Sequence, residues 1–150
     1  MKKLLVLLVI ATVFTMVRNE VKQLDHEPQS SFSQSFLEDL NQDLKTQFTG
    51  KRIDQFTTVK SYEATKVQDS EAYLGHMVMS IDMDFSKLLN TGLVDRENYK
   101  AMLCEQLAGL TKDEMAAMEK LKSKTTIDSV AISLTHEFTD GVAITVQKEL

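Results

Sequence analysis

Apolar positions along the chain keep to helical or strand periods over most of its length, and the boundaries between those periods carry turn and cap residues. Phe32, Phe36, Leu37, Leu40, Leu44 and Phe48 recur at helical spacing and predict one amphipathic helix. Ser35 with Glu38 has the S-x-x-E form of a capping box at its start, and Gly50 stands just past its end. Phe56 to Val67 is rich in Thr, Val and Tyr and predicts a strand, though its poor alternation leaves the buried face undetermined. Gln68 to Ala72 supplies a polar turn. Tyr73 to Phe85 then alternates cleanly, with Met77, Met79, Ile81, Met83 and Phe85 on one face and His76, Ser80, Asp82 and Asp84 on the other.

After a break at Gly92, Asp95 is placed to cap a helix whose stripe is Tyr99, Met102, Leu103, Leu107 and Leu110. Thr111 with Glu114 forms a second capping box, so a further helix presenting Met115, Met118 and Leu121 follows at once. The last pattern is a hairpin, Thr126 to Phe138 and Val142 to Leu150, around Thr139-Asp140-Gly141. A two-residue Asp-Gly turn would set the apolar face of one strand against the polar face of the other. A three-residue loop with Gly141 left-handed instead pairs Phe138 with Val142, His136 with Ile144 and Leu134 with Val146. The pattern selects the longer loop.

Helix, hairpin, helices and hairpin in that order predict an α+β fold. The expected core is a four-stranded antiparallel sheet with helices gathered on one face and its strand order open. The domain occupies residues 32–150, and its length allows one core.

Leu4 to Val17 reads LLVLLVIATVFTMV behind Lys2 and Lys3, the pattern of a bacterial export signal or signal anchor. Fourteen residues at about 1.5 Å each cover roughly 21 Å, short of the ~30 Å hydrocarbon core, which favours a cleaved signal. Against cleavage, the end of the stretch, Phe14-Thr15-Met16-Val17-Arg18, lacks the small residues that signal peptidase requires. Lys3 and Arg18 can snorkel to the two interfaces and extend the span. The expectation is an uncleaved anchor over residues 1–18, crossing a bacterial inner membrane once through residues 4–17, with the C-terminal domain in the periplasm. A cleaved periplasmic or secreted form is the alternative. Asn19 to Ser31, with the one proline, Pro28, reads as a polar tether.

Charge narrows the partners. A net charge of −5 argues against nucleic acid and anionic lipid head groups, which require clustered Lys and Arg. A single cysteine excludes an internal disulfide framework.

Candidate chemistry is sparse, and no cofactor is implied. Asp82-Met83-Asp84 starts like a calcium loop but has Lys87 where the loop requires glycine and Leu93 where it requires glutamate. The spacings of His26, His76 and His136 match no metal motif. His136 shares an apolar strand face with Val130, Ile132, Leu134 and Phe138, which makes it the candidate pH-sensing group beside its plainer reading as a histidine at the core rim. Cys104 turns away from the leucine stripe toward solvent and acidic neighbours, so it is a candidate for an intermolecular disulfide rather than a nucleophile. Met77, Met79 and Met83, together with Met102, Met115 and Met118, form a candidate apolar pocket for a small lipophilic ligand, although such a stripe more often fills a core. No nucleophile elbow, phosphate loop or catalytic carboxylate pair is present, which leaves an enzyme as the least supported class.

A cytoplasmic stub at Met1–Lys3, one short anchor, a polar tether and a small exported α+β domain resemble, as a layout of the whole chain, the small inner-membrane companion proteins of ToxR-like transcription regulators. The resemblance implies a non-catalytic protein that stabilises or tunes the periplasmic domain of a membrane-bound regulator, in response to acid or a lipophilic ligand. A protein partner or a homo-oligomer is expected on this reading. A secreted binding module, such as an inhibitor or envelope-assembly factor, is the second class.

Overall fold

The computed structural model describes residues 34–111, 119, 123 and 127–150; the candidate anchor and tether lie outside them, as do Met115, Met118 and the second capping box at Glu114. The elements run α1 (Gln34–Phe48), β1 (Thr57–Lys66), β2 (Ala72–Ile81), α2 (Phe85–Asn90), α3 (Arg96–Thr111), β3 (Ser129–Phe138) and β4 (Ala143–Glu149). Together they make an α+β fold on a four-stranded mixed sheet of order β1-β2-β3-β4.

α1 buries Leu37, Leu40, Leu44 and Phe48 of the stripe its spacing predicts; Phe32 and the Phe36 side chain lie outside the described residues. Each such side chain stabilises the fold by about 1.5–3 kcal/mol through removal of apolar area from water. Ser35 lies within the helix, which already includes Gln34, so it is not the cap. Past the helix, Gly50 takes φ +80° and its N–H donates to the Val59 carbonyl, turning the chain back alongside β1.

The weak alternation of β1 has a structural cause. A bulge between Val59 and Ser61 leaves Lys60 as an extra residue, so Val59 and Tyr62, three apart, both reach the core. The Tyr62 ring meets Phe48 edge-on at 6.4 Å and lies over Gly75, where a Cβ would stand 3.3 Å from its hydroxyl. Burial pushes the Tyr62 hydroxyl far above the usual tyrosine range.

β2 buries Tyr73, Met77, Met79 and Ile81, the expected face, but it ends at Ile81 rather than at Phe85. Asp82 to Asp84 turn the chain into α2, a short helix that the strand-like alternation concealed. Phe85 remains in the core because it opens that helix and packs against Phe138 at 4.9 Å and Tyr99 at 5.7 Å. Asp84 occupies the N-cap of α2 without a side-chain bond to the helix. The cap comes instead from the β3–β4 turn, where Asp140 Oδ2 accepts from the Ser86 N–H at 3.0 Å. Asp95 caps α3 as expected, accepting from the Asn98 N–H at 2.7 Å.

The final hairpin has the derived register, with His136 opposite Ile144 and Leu134 opposite Val146. Gly141 is left-handed at φ +83°, and the Phe138 N–H donates to the Val142 carbonyl at 2.9 Å.

The all-antiparallel sheet is corrected. β1–β2 and β3–β4 are antiparallel hairpins, but the central strands β2 and β3 run parallel, with Met77 opposite Leu134 and Ile81 opposite Phe138. The connection 82–128 contains α2 and α3, long enough for the crossover that a parallel pair requires. Through these registers the buried apolar residues of all four strands fall on one side of the sheet, where α1 packs on β1 and α3 on β4 in a single core.

Candidate functional site

The two edges of this sheet differ, and the difference comes from the sequence. Along the outer edge of β1, the 50–53 segment supplies backbone partners: Val59 N–H donates to Lys51 O at 2.9 Å and Ile53 N–H to Thr57 O at 2.8 Å. Farther along, the Asn41 side chain of α1 acts as a substitute strand, donating to Ala64 O at 2.9 Å and accepting from Ala64 N–H at 2.7 Å. The bulge at Lys60 adds local twist. These are the usual ways of blunting an exposed strand.

Among the described residues β4 has neither a partnering segment nor a bulge. Phe138 bonds Val142 and Leu150 bonds Val130, which fixes the ladder so that Ile144, Val146 and Lys148 face β3 with their backbone groups. The N–H and C=O groups of Ala143, Thr145, Gln147 and Glu149 therefore point outward. Their side chains are all exposed, and the register with β3 runs without a shift. At one end of the edge the Arg96 guanidinium donates to Ala143 O at 3.3 Å; among the described residues no bond reaches the outward backbone of Thr145, Gln147 or Glu149.

The sheet face away from the helices carries a polar cluster flanked by the half-buried Leu74 and Val78. Thr135 Oγ1 lies 2.8 Å from Thr145 Oγ1 and 3.2 Å from His76 Nε2, and Ser133 beside it is buried. Lys60 of β1 reaches over β2 to pair with Glu137 of β3. His76 is thus half-buried and bonded within the sheet rather than free in water.

The residues singled out by sequence do not converge. His136 stands on the core side, half-buried, with its Nδ1 2.7 Å from Tyr99 Oη and the two rings edge-on at 5.8 Å. Burial, with the charge of Asp54 adding to it, pushes the Tyr99 hydroxyl up to about 12. Cys104 is exposed on α3. Met77 and Met79 are buried within the core, and Met83 is half-buried against it. Met102 is corrected. It is exposed, because α3 buries Leu103 and Leu107 and half-buries Tyr99, a narrow stripe that excludes it.

Asn41, Asp140 and Thr145 carry no motif and were not singled out. Asn41 and Asp140 act across long sequence separations, whereas Thr145 is marked only by its outward position in the derived hairpin register.

Among the described residues no cluster of His, Cys, Asp or Glu is arranged to hold a metal ion, and no helix is long and apolar enough to cross a membrane. Comparison of the chain with models of known protein families, with curated proteins and with solved structures finds no match.

Proposed function

We propose that this chain is a non-catalytic, membrane-anchored interaction protein whose α+β domain, held on the periplasmic side by the stretch Leu4–Val17, engages a protein partner through the outer edge of β4. The observation that supports this reading is the contrast between edges: β1 is occupied at Thr57, Val59 and Ala64, whereas among the described residues no bond reaches the outward backbone of Thr145, Gln147 or Glu149 on β4. A strand edge left open in this way is a template for strand addition, with main-chain bonds supplying affinity and alternate side chains supplying selectivity. Anchoring raises the effective concentration of any partner in the same membrane, so a modest interface suffices. The resemblance in layout to companions of ToxR-like regulators extends the reading to an accessory that stabilises or tunes a membrane-bound regulator.

The test is fractionation with N-terminal sequencing, combined with a photo-reactive residue at Gln147 in intact cells. A full-length membrane-bound product that cross-links to a discrete protein through position 147 supports the reading. A soluble truncated product would favour the secreted binding module, and a full-length product with no adduct at 147 would remove the edge.

A further inference from the structure

We infer that Asp140–Gly141 is a self-modification site: the carboxyl of Asp140 closes on the Gly141 nitrogen to form a succinimide, and the folded turn holds that reaction off until α2 comes away from it. The inference is independent of what the β4 edge binds.

The reacting pair is set by the sequence. Asp140 is the one aspartate of the chain followed by glycine, and no asparagine is. Glycine has no Cβ, so its backbone nitrogen stays open to a neighbouring carboxyl. In the first step the Gly141 nitrogen bonds to Cγ of Asp140, and the proton it gives up leaves with a carboxyl hydroxyl as water. Water then adds to either carbonyl of the ring. Opening at Cγ restores aspartate; opening at the main-chain carbonyl leaves an isoaspartate, whose backbone runs through Cγ and is one methylene longer. No oxidant, metal or second reactant is consumed.

Both reacting groups are committed elsewhere in the fold. Gly141 N–H donates to the Phe138 carbonyl at 3.0 Å, with Gly141 at φ +83°. Asp140 Oδ2 accepts from the Ser86 N–H at 3.0 Å, at the helix start that Asp84 leaves without a side-chain cap. The N–H groups of Phe85 and Val142 also favour the ionised carboxylate, whose oxygen is a poor leaving group. The turn is tied to the same helix start twice more, since Thr139 N–H donates to Met83 O at 3.1 Å and its hydroxyl bonds the Asp84 carboxylate. Ring closure therefore requires the cap and the turn to open together.

Asp69–Ser70, in the β1–β2 turn, is the internal contrast. Ser70 N–H is likewise bonded within its turn, to Val67 O at 3.3 Å, but the Asp69 carboxylate accepts no hydrogen bond among the described residues. The consequence at Asp140 is one-way. Isoaspartate lengthens the three-residue loop that sets the β3–β4 register and draws the carboxylate one carbon closer to the main chain, so the cap on α2 does not re-form. Modification of the open chain then competes with its return to the fold.

Peptide mapping with isoaspartyl-methyltransferase labelling tests this on the full chain held for weeks at pH 6, folded in detergent and unfolded in guanidinium chloride, with Ser86→Pro and Asp140→Glu alongside. The unfolded parent should collect label at 140 faster than at 69. The folded parent should collect it at 140 at least about tenfold more slowly than the unfolded one, which a local opening free energy of about 1.4 kcal/mol suffices to give, and position 69 should be slowed less. Ser86→Pro removes the capping N–H within the first turn of α2, where proline is tolerated, and should raise the folded rate at 140 but not at 69. Asp140→Glu would need a six-membered ring and should carry no label at 140. If circular dichroism shows that the proline variant has not folded, the comparison of 140 with 69 in the parent decides alone. Equal rates at 140 in the folded and unfolded parent, protection at 69 as large as at 140, a folded Ser86→Pro no faster than the parent, or label that persists in Asp140→Glu overturns the inference.

Discussion

Tyr99 Oη and His136 Nδ1 are 2.7 Å apart, joining α3 to the core side of β3 where Phe85 and Phe138 close the aromatic cluster. A neutral imidazole shares a hydrogen bond with that hydroxyl in either tautomeric sense; a protonated one must place its charge beside apolar rings. Lowering the pH from 7 to 5, through the ordinary histidine range near 6.5, is therefore predicted to lower the melting temperature of the parent more than that of His136→Gln. An identical pH dependence in the two proteins would remove His136 as a sensing group.

At alkaline pH the tyrosine dominates. A folded-state pKa of about 12 for Tyr99, above the ordinary 10, means the folded protein holds the proton longer than the unfolded chain. Stability should be intact below about pH 10 and fall as the pH rises toward 12. Tyr99→Phe should lessen that fall without abolishing it, since Tyr62 is also raised. Urea titrations at pH 9 and 11.5 measure it, and an unchanged difference between the two pH values in the variant would contradict the assignment.

Asp140 works in the opposite direction. The N–H groups of Ser86, Phe85 and Val142 outweigh its small desolvation and hold its carboxyl below the ordinary range, so the charged form is favoured in the folded state. Its contribution is present above the ordinary aspartate pKa and is lost as pH falls through the lowered value. Asp140→Asn should cost stability at pH 7 and narrow its gap to the parent near pH 2. A gap that is constant with pH would show that Asp140 acts through the turn alone.

Met79 and Asp82 test the faces of β2. Met79 is 2% exposed against Val59 and His136, whereas Asp82 is exposed. Met79→Asp should unfold the domain, because an unpaired charge in the core costs several kcal/mol, and Asp82→Asn should melt near the parent temperature. Equal loss in both variants would contradict the assigned faces.

What the sequence could show follows from how locally each feature is determined. The register of β3 and β4 was derivable because Phe138, His136 and Leu134 and their partners lie within one hairpin, where the loop length and side-chain alternation agree. The direction of β2 relative to β3 was not, since alternation places Met77 beside Leu134 on the core face whether the strands run parallel or antiparallel. The face of β1 was obscured by the bulge at Lys60, and α2 by its apolar Phe85, which continues the period of the preceding strand. Asn41 reads as an ordinary polar residue on α1 until the fold brings it to Ala64, so the blunting of one edge, and with it the significance of the other, belongs to tertiary structure.

Asn41→Leu is predicted to expose that dependence. Removing the amide leaves the Ala64 N–H and C=O without partners in a partly buried position, a loss of about 1–3 kcal/mol. It also opens β1, so the variant should self-associate at concentrations where the parent does not. Light scattering alongside a urea titration reads both effects, and a variant as stable and as small as the parent would show that Asn41 does not guard the edge.

Residue-resolved amide hydrogen exchange of the full chain, at dilution and in its assembled state, tests most directly whether β4 is the interaction edge. Ala64 should exchange slowly in both states, because Asn41 holds its N–H, while Thr145, Gln147 and Glu149 should exchange fast at dilution and become protected on assembly. Fast exchange at those three positions in every assembled state, or slow exchange at dilution, would contradict the account.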